Sequence, residues 1–118
     1  MLVISGHSRG GKVAFGLALG KAKTSCLKFS AIIALDPVDG LLIVGQTQPH
    51  ILTGKAHSFN LAYPTLVIGS GFGPDWNIFP PCAPCAPEQF GHKAFFEESC
   101  APAFHFVASE YGHMGLLR

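Results

Sequence analysis

Gly6-His7-Ser8-Arg9-Gly10 stands near the head of the chain, after the apolar run Leu2-Val3-Ile4 and before Gly11-Lys12-Val13-Ala14-Phe15, which can open a helix. The pentapeptide fits G-x-S-x-G, a pattern that seats a serine on a sharp strand-to-helix turn with its hydroxyl pointing away from the sheet. Few short segments constrain a fold so tightly. The strand belongs inside a parallel sheet, and the helix must pack back onto it. Gly6 and Gly10 lie two residues either side of Ser8, where a side chain is expected to collide with the neighbouring strand or helix. The helix aims its free N–H groups and positive dipole end at the serine. The Arg9 N–H is therefore the candidate oxyanion donor, a group typically worth about 3–4 kcal/mol of barrier.

Three further apolar runs read as strands: Ala31 to Leu35, Thr65 to Ile68 and Phe104 to Ala108. Each is short, continuous and followed by polar or turn residues, as in parallel strands buried on both faces. Helices are predicted from Arg9 to about Gly20 and from Glu88 to about Glu98. Alternating strand and helix argue for an α/β fold with a mostly parallel sheet. The stretch from Val38 to Pro64 is long for a connection and is expected to include a surface excursion near the site.

Chemistry in such sheets gathers at the carboxyl ends of the strands. Ser8, Asp36, Asp75 and His113 all fall there, in the chain order serine, acid, histidine. Among six histidines, His113 follows the last strand beside Gly112 and is the favoured base. His105 sits inside an apolar strand pattern and reads as a core residue, and His7 as a residue that shapes the pocket. Two acids are open. Asp36 closes the second strand and is fixed by Pro37, whereas Asp75 follows the third strand in a glycine-rich setting that anchors an imidazole less well. Asp39, before Gly40, is expected to be a solvated turn residue.

With 118 residues, the chain is one domain or part of one. Hydrophobic residues make up 48% and charged residues 13%, which suits a buried sheet or a domain whose covering partners lie elsewhere. A net charge of +1 gives no sign of nucleic acid as a partner. No apolar run reaches the roughly 18 residues of a membrane span. Of the four cysteines, Cys82 and Cys85 form a C-x-x-C pair inside a doubled Cys-Ala-Pro tripeptide. A zinc site completed by His92 and Cys100 would be irregularly spaced. A disulfide from Cys82 or Cys85 to Cys100 would tie down the proline-rich loop.

With these residues assembled, the chain resembles the chlorophyllases, plant α/β-hydrolases. The resemblance is carried by Gly6 to Lys12, Asp36-Pro37-Val38, Pro49 to Thr53, Leu66 to Gly69 with Gly73-Pro74, Phe79 to Pro84, His105 to Ala108 and Tyr111 to Met114. It implies hydrolysis of the phytyl ester of chlorophyll to chlorophyllide and phytol, in the chloroplast, without a cofactor. It also implies Ser8 as nucleophile, Asp36 as acid and His113 as base, with Asp75 as second choice. Phe72, Trp76, Phe79 and Phe90 are candidates for an apolar substrate pocket or for the core.

On this resemblance, residues 1–118 are expected to be the C-terminal part of a single α/β-hydrolase domain, a partial fold whose sheet lacks its N-terminal strands. The Ser8 strand would then lie at a sheet edge, and the second oxyanion donor would have no source within these residues. Weak or absent activity of the isolated chain follows. The alternatives are another carboxylesterase or lipase, and a catalytically inactive truncated fragment.

Overall fold

The structure, a computed structural model, describes residues 1–23, 27–75 and 84–117. The expectations placed on Trp76, Phe79 and Cys82 lie outside these residues. In chain order the elements are β1 (Val3–His7), α1 (Arg9–Ala18), β2 (Ala31–Leu35), β3 (Gly40–Leu41), β4 (Gly45–Gln46), β5 (Thr65–Ser70), α2 (His92–Glu98) and β6 (Ala103–Ala108). Strands β1, β2, β5 and β6 form one sheet in that order, every pairing parallel. The fold is α/β, and β1, the strand that leads into Ser8, is an edge strand among the described residues.

The registry of the sheet separates two faces. Ile32, Ala34 and Val67 on one face are fully buried against Ala14 and Phe15 of α1, Phe95 of α2, and Ile51 and Phe59 of the intervening loop. Phe15, Phe59 and Phe95 form the centre of this core, with ring centroids 4.9–6.3 Å apart. Tilted aromatic contacts of this kind add to the burial of their area. The opposite face carries the rows Ser5-Ile33-Leu66-Phe104 and His7-Leu35-Ile68-Phe106. There Phe104 is 56% and Phe106 61% exposed. The strand sequences are apolar enough for burial on both faces, but α1, α2 and the Phe59 loop all lie on one.

Three local expectations are corrected. The helix predicted from Glu88 to Glu98 is broken at Gly91, whose backbone is extended, so a single 3-10 turn over Glu88–Phe90 precedes α2. Asp39 is not solvated: its side chain is fully buried, and Oδ1 lies 2.9 Å from Lys12 Nζ. Its Oδ2 accepts from the backbone N–H groups of Ile51 and Leu52 and from the Gln46 amide. Asp39 thereby joins the loop after β2 to the helix that follows Ser8. Cys100 carries a free thiol rather than a disulfide, and its Sγ donates to the carbonyl of His57 at 3.1 Å. His92, the other imagined zinc ligand, is spent on His105, and no group of three metal-binding side chains occurs among the described residues. No helix among them is long and apolar enough to cross a membrane.

Candidate active site

Ser8 is set by backbone alone. Its φ of 56° and ψ of −122° lie in a region that L-residues rarely adopt. Three hydrogen bonds hold it there: its N–H donates to Leu35 O of β2, and its carbonyl accepts from the N–H groups of Lys12 and Val38. Strain of this kind costs about 1–3 kcal/mol and persists only where the surroundings over-determine it. The turn is tight enough that a Cβ on Gly6 would sit 2.2 Å from the Gly10 carbonyl oxygen. Gly10 itself meets nothing within 4 Å, so only the first of the two motif glycines is required by sterics. α1 begins at Arg9, and its first N–H groups have no intrahelical acceptor.

Asp36 follows β2 directly and also has a positive φ, of 44°. Its N–H donates to Ile68 O, which fixes the end of β2 against β5. Its carboxylate is fully buried and collects three donors. His113 Nδ1 is 2.7 Å from Oδ2, the Ser70 hydroxyl bonds the same oxygen, and the Ser70 N–H reaches Oδ1 at 3.2 Å. Burial alone would raise the Asp36 pKa, but the hydrogen bonds from His113 and Ser70 outweigh it and hold the carboxyl below its ordinary range. With Nδ1 donating to Asp36, the neutral His113 ring presents a bare Nε2 that can accept a proton.

His113 starts a short 3-10 helix beyond β6 and is itself buried. It adjoins the serine turn through His7, whose Nε2 lies 2.8 Å from the His113 carbonyl oxygen. Asp75 is exposed, and its backbone N–H bonds Phe72 O. It lines a hollow of about 400 Å³ beside His113, shared with Phe72, Gly73, Gly112 and Met114. Phe90 belongs elsewhere, in a cavity lined also by Gln46, Lys55 and Ala94. His105 is half-buried rather than enclosed in the core as expected, its Nε2 2.8 Å from His92 Nδ1 and its ring stacked on Phe96. Burial and the neighbouring His92 lower its pKa against the pull of Glu97.

The arrangement thus brings Asp36, His113 and the turn bearing Ser8 together, and leaves Asp75 at the rim. Sequence reading missed Ser70, whose signal was the Gly69-Ser70-Gly71 strand end. It also missed Lys12, a charge that α1 buries against Asp39.

The chain is 51% identical to Chlorophyllase-1 of Arabidopsis thaliana over 95% of its own length and 35% of that protein's. It is 49% identical to Chlorophyllase-2 of the same plant, covering 97% of the chain and 36% of the relative. Chlorophyllase-1, chloroplastic, of Citrus unshiu is 38% identical over 99% of the chain and 32% of the relative. The chain therefore spans about a third of the length of the curated relatives it matches. The Chlorophyllase family model matches residues 1–118, which include the serine turn, the buried acid and the histidine bound to it, and the chain belongs to the chlorophyllase family.

Proposed function

We propose that these residues carry the reacting groups of a serine carboxylic-ester hydrolase that cleaves chlorophyll to chlorophyllide and phytol. The observation that carries the reading is the 2.7 Å bond from His113 to the buried Asp36, beside a serine held at a positive φ. Ser8 Oγ attacks the ester carbonyl carbon while His113 Nε2 takes its proton. Asp36 holds the imidazole tautomer and stabilises the charge that forms. The Arg9 N–H supports the oxyanion. Collapse of the tetrahedral adduct breaks the ester C–O bond, and phytol leaves with the proton from His113. Water then attacks the acyl-serine, again through His113, and releases chlorophyllide.

Membership of the family supports the substrate class, and the name of the Citrus relative supports the chloroplast as its place. The edge position of β1 and the open apolar face support a larger α/β-hydrolase domain of which these residues form one part. The exposed Phe72 and Met114 at the hollow beside His113 support an apolar ester.

The test is labelling by a fluorophosphonate, together with chlorophyll turnover, in the wild type and in S8A. Labelling at Ser8 and loss of turnover in S8A are expected. Undiminished turnover in S8A would overturn the proposal. A short-chain ester cleaved much faster than chlorophyll would reassign the substrate to that of a general esterase.

A further inference from the structure

The residue that precedes Ser8 touches the residue that binds Asp36. His7 is the last residue of β1, and its Cα pairs with Leu35 of β2. It is therefore fixed in the same block as Ser8, whose N–H bonds Leu35 O. Its ring reaches across the sheet end to the His113 segment. There Nε2 lies 2.8 Å from the His113 backbone oxygen, and the two rings lie 4.6 Å apart at an interplanar angle of 35°. A carbonyl oxygen only accepts, so Nε2 carries the proton and donates. That holds for the neutral Nε2–H tautomer and for the cation alike.

His113 opens the short 3-10 helix that follows β6, outside the sheet. Among the described residues the long-range polar ties of the His113 segment are Phe72 N–H to Tyr111 O, His113 Nδ1 to Asp36, and His7 Nε2 to His113 O. Of these, only the last runs to the strand that delivers Ser8. The Asp36 bond acts on the ring of His113 and not on its backbone. The Phe72 bond acts two residues upstream. The donor on His7 ties the base's own peptide group to the nucleophile's strand.

We infer that His7 is a positioning residue for the base, setting the distance between His113 and Ser8 through the His113 carbonyl. The inference rests on the acyl-transfer reading above. Its role needs an N–H at the Nε2 position rather than an imidazole as such. The glutamine amide nitrogen reaches about as far along its side chain, and phenylalanine keeps the ring without the donor.

The experiment compares H7Q, H7F and S8A in the full-length protein, with two readouts. The first is kcat and KM for ester hydrolysis. The second is the downfield proton resonance of the His113–Asp36 hydrogen bond, which needs no turnover. H7F is expected to lower kcat by about 100-fold with KM nearly unchanged, the scale of a misplacement near one ångström. It should also broaden the downfield resonance. H7Q is expected to restore most of both. Equal impairment of H7Q and H7F, or wild-type kcat and resonance in H7F, would overturn the inference. S8A separates the two levels. Full turnover in S8A removes the acyl-transfer reading itself, whereas an inactive S8A with an unaffected H7F removes only the role of His7.

Discussion

Ser8 and His113 are held in opposite ways. Ser8 is sewn into the sheet by backbone bonds to Leu35, Lys12 and Val38, and nothing about its hydroxyl is needed to keep it there. His113 opens a short 3-10 helix beyond the sheet, and its position rests on side chains that converge from distant parts of the chain: Asp36 on its ring and His7 on its carbonyl. The first arrangement needs only α1 and the pairing of β1 with β2. The second exists only once the whole sheet has formed. A site of this kind gains its precision on one side from chain geometry and on the other from long-range packing, and the two sides should fail differently.

The sharpest way to break the side-chain half is D36N. It removes the acceptor that fixes the His113 tautomer, and ester turnover should fall on the order of 10⁴-fold. Ser8 should keep its backbone geometry, so the fold should remain cooperative by circular dichroism and urea denaturation. The same variant tests the acid response. The folded-state carboxyl titrates below its usual 3.8, so its contribution to stability is present above that value and is lost as pH falls through the lowered one. D36N should accordingly flatten the decline of unfolding free energy below about pH 4. A decline identical to that of the wild type would place the acid sensitivity elsewhere.

The backbone half breaks through its supports. Lys12 and Asp39 are both buried, 2.9 Å apart, and join the start of α1 to the loop after Asp36. K12M would leave the Asp39 charge without its cation and should cost about 3–5 kcal/mol, read as a lower urea midpoint. Changing both members to well-packed apolar residues should recover much of that loss. G6A comes next. Its Cβ would lie 2.2 Å from backbone that has little room to yield, a clash expected to cost about 1–3 kcal/mol or more. G10A is the smallest change and should act in the other direction. The site is open and lies in the first turn of α1, so alanine should stabilise by up to about 1 kcal/mol. Equal effects of G6A and G10A in thermal melts would show that the motif's glycines act through something other than close approach.

The same division explains what could be read from the sequence. β2 matches its apolar run residue for residue, and β5 and β6 differ from theirs by one or two residues at an end. The serine turn was equally legible, because five consecutive residues encode it. Asp39 was misread because its partner is 27 residues away in the chain. An Asp-Gly pair looks like a solvated turn until Lys12 is placed beside it. β3 and β4 are two residues each, too short to show any alternation. The break at Gly91 was hidden because Glu88 to Glu98 otherwise suits a helix, and a single glycine does not say which way its backbone will turn. Between Asp36 and Asp75, local sequence left both open. The difference lies in Ser70 and His113, which reach Asp36 only through the pairing of β2 with β5 and the return of the chain after β6.

The carbonyl of Ser8 has a practical consequence. Because that oxygen, rather than the hydroxyl, receives both Lys12 and Val38, the side chain at this position can be changed while the turn keeps its shape. S8A is then a bait rather than a damaged protein. It should retain the pocket and the charge pattern around it, and hold an intact ester long enough for the complex to be isolated and its occupant identified by mass.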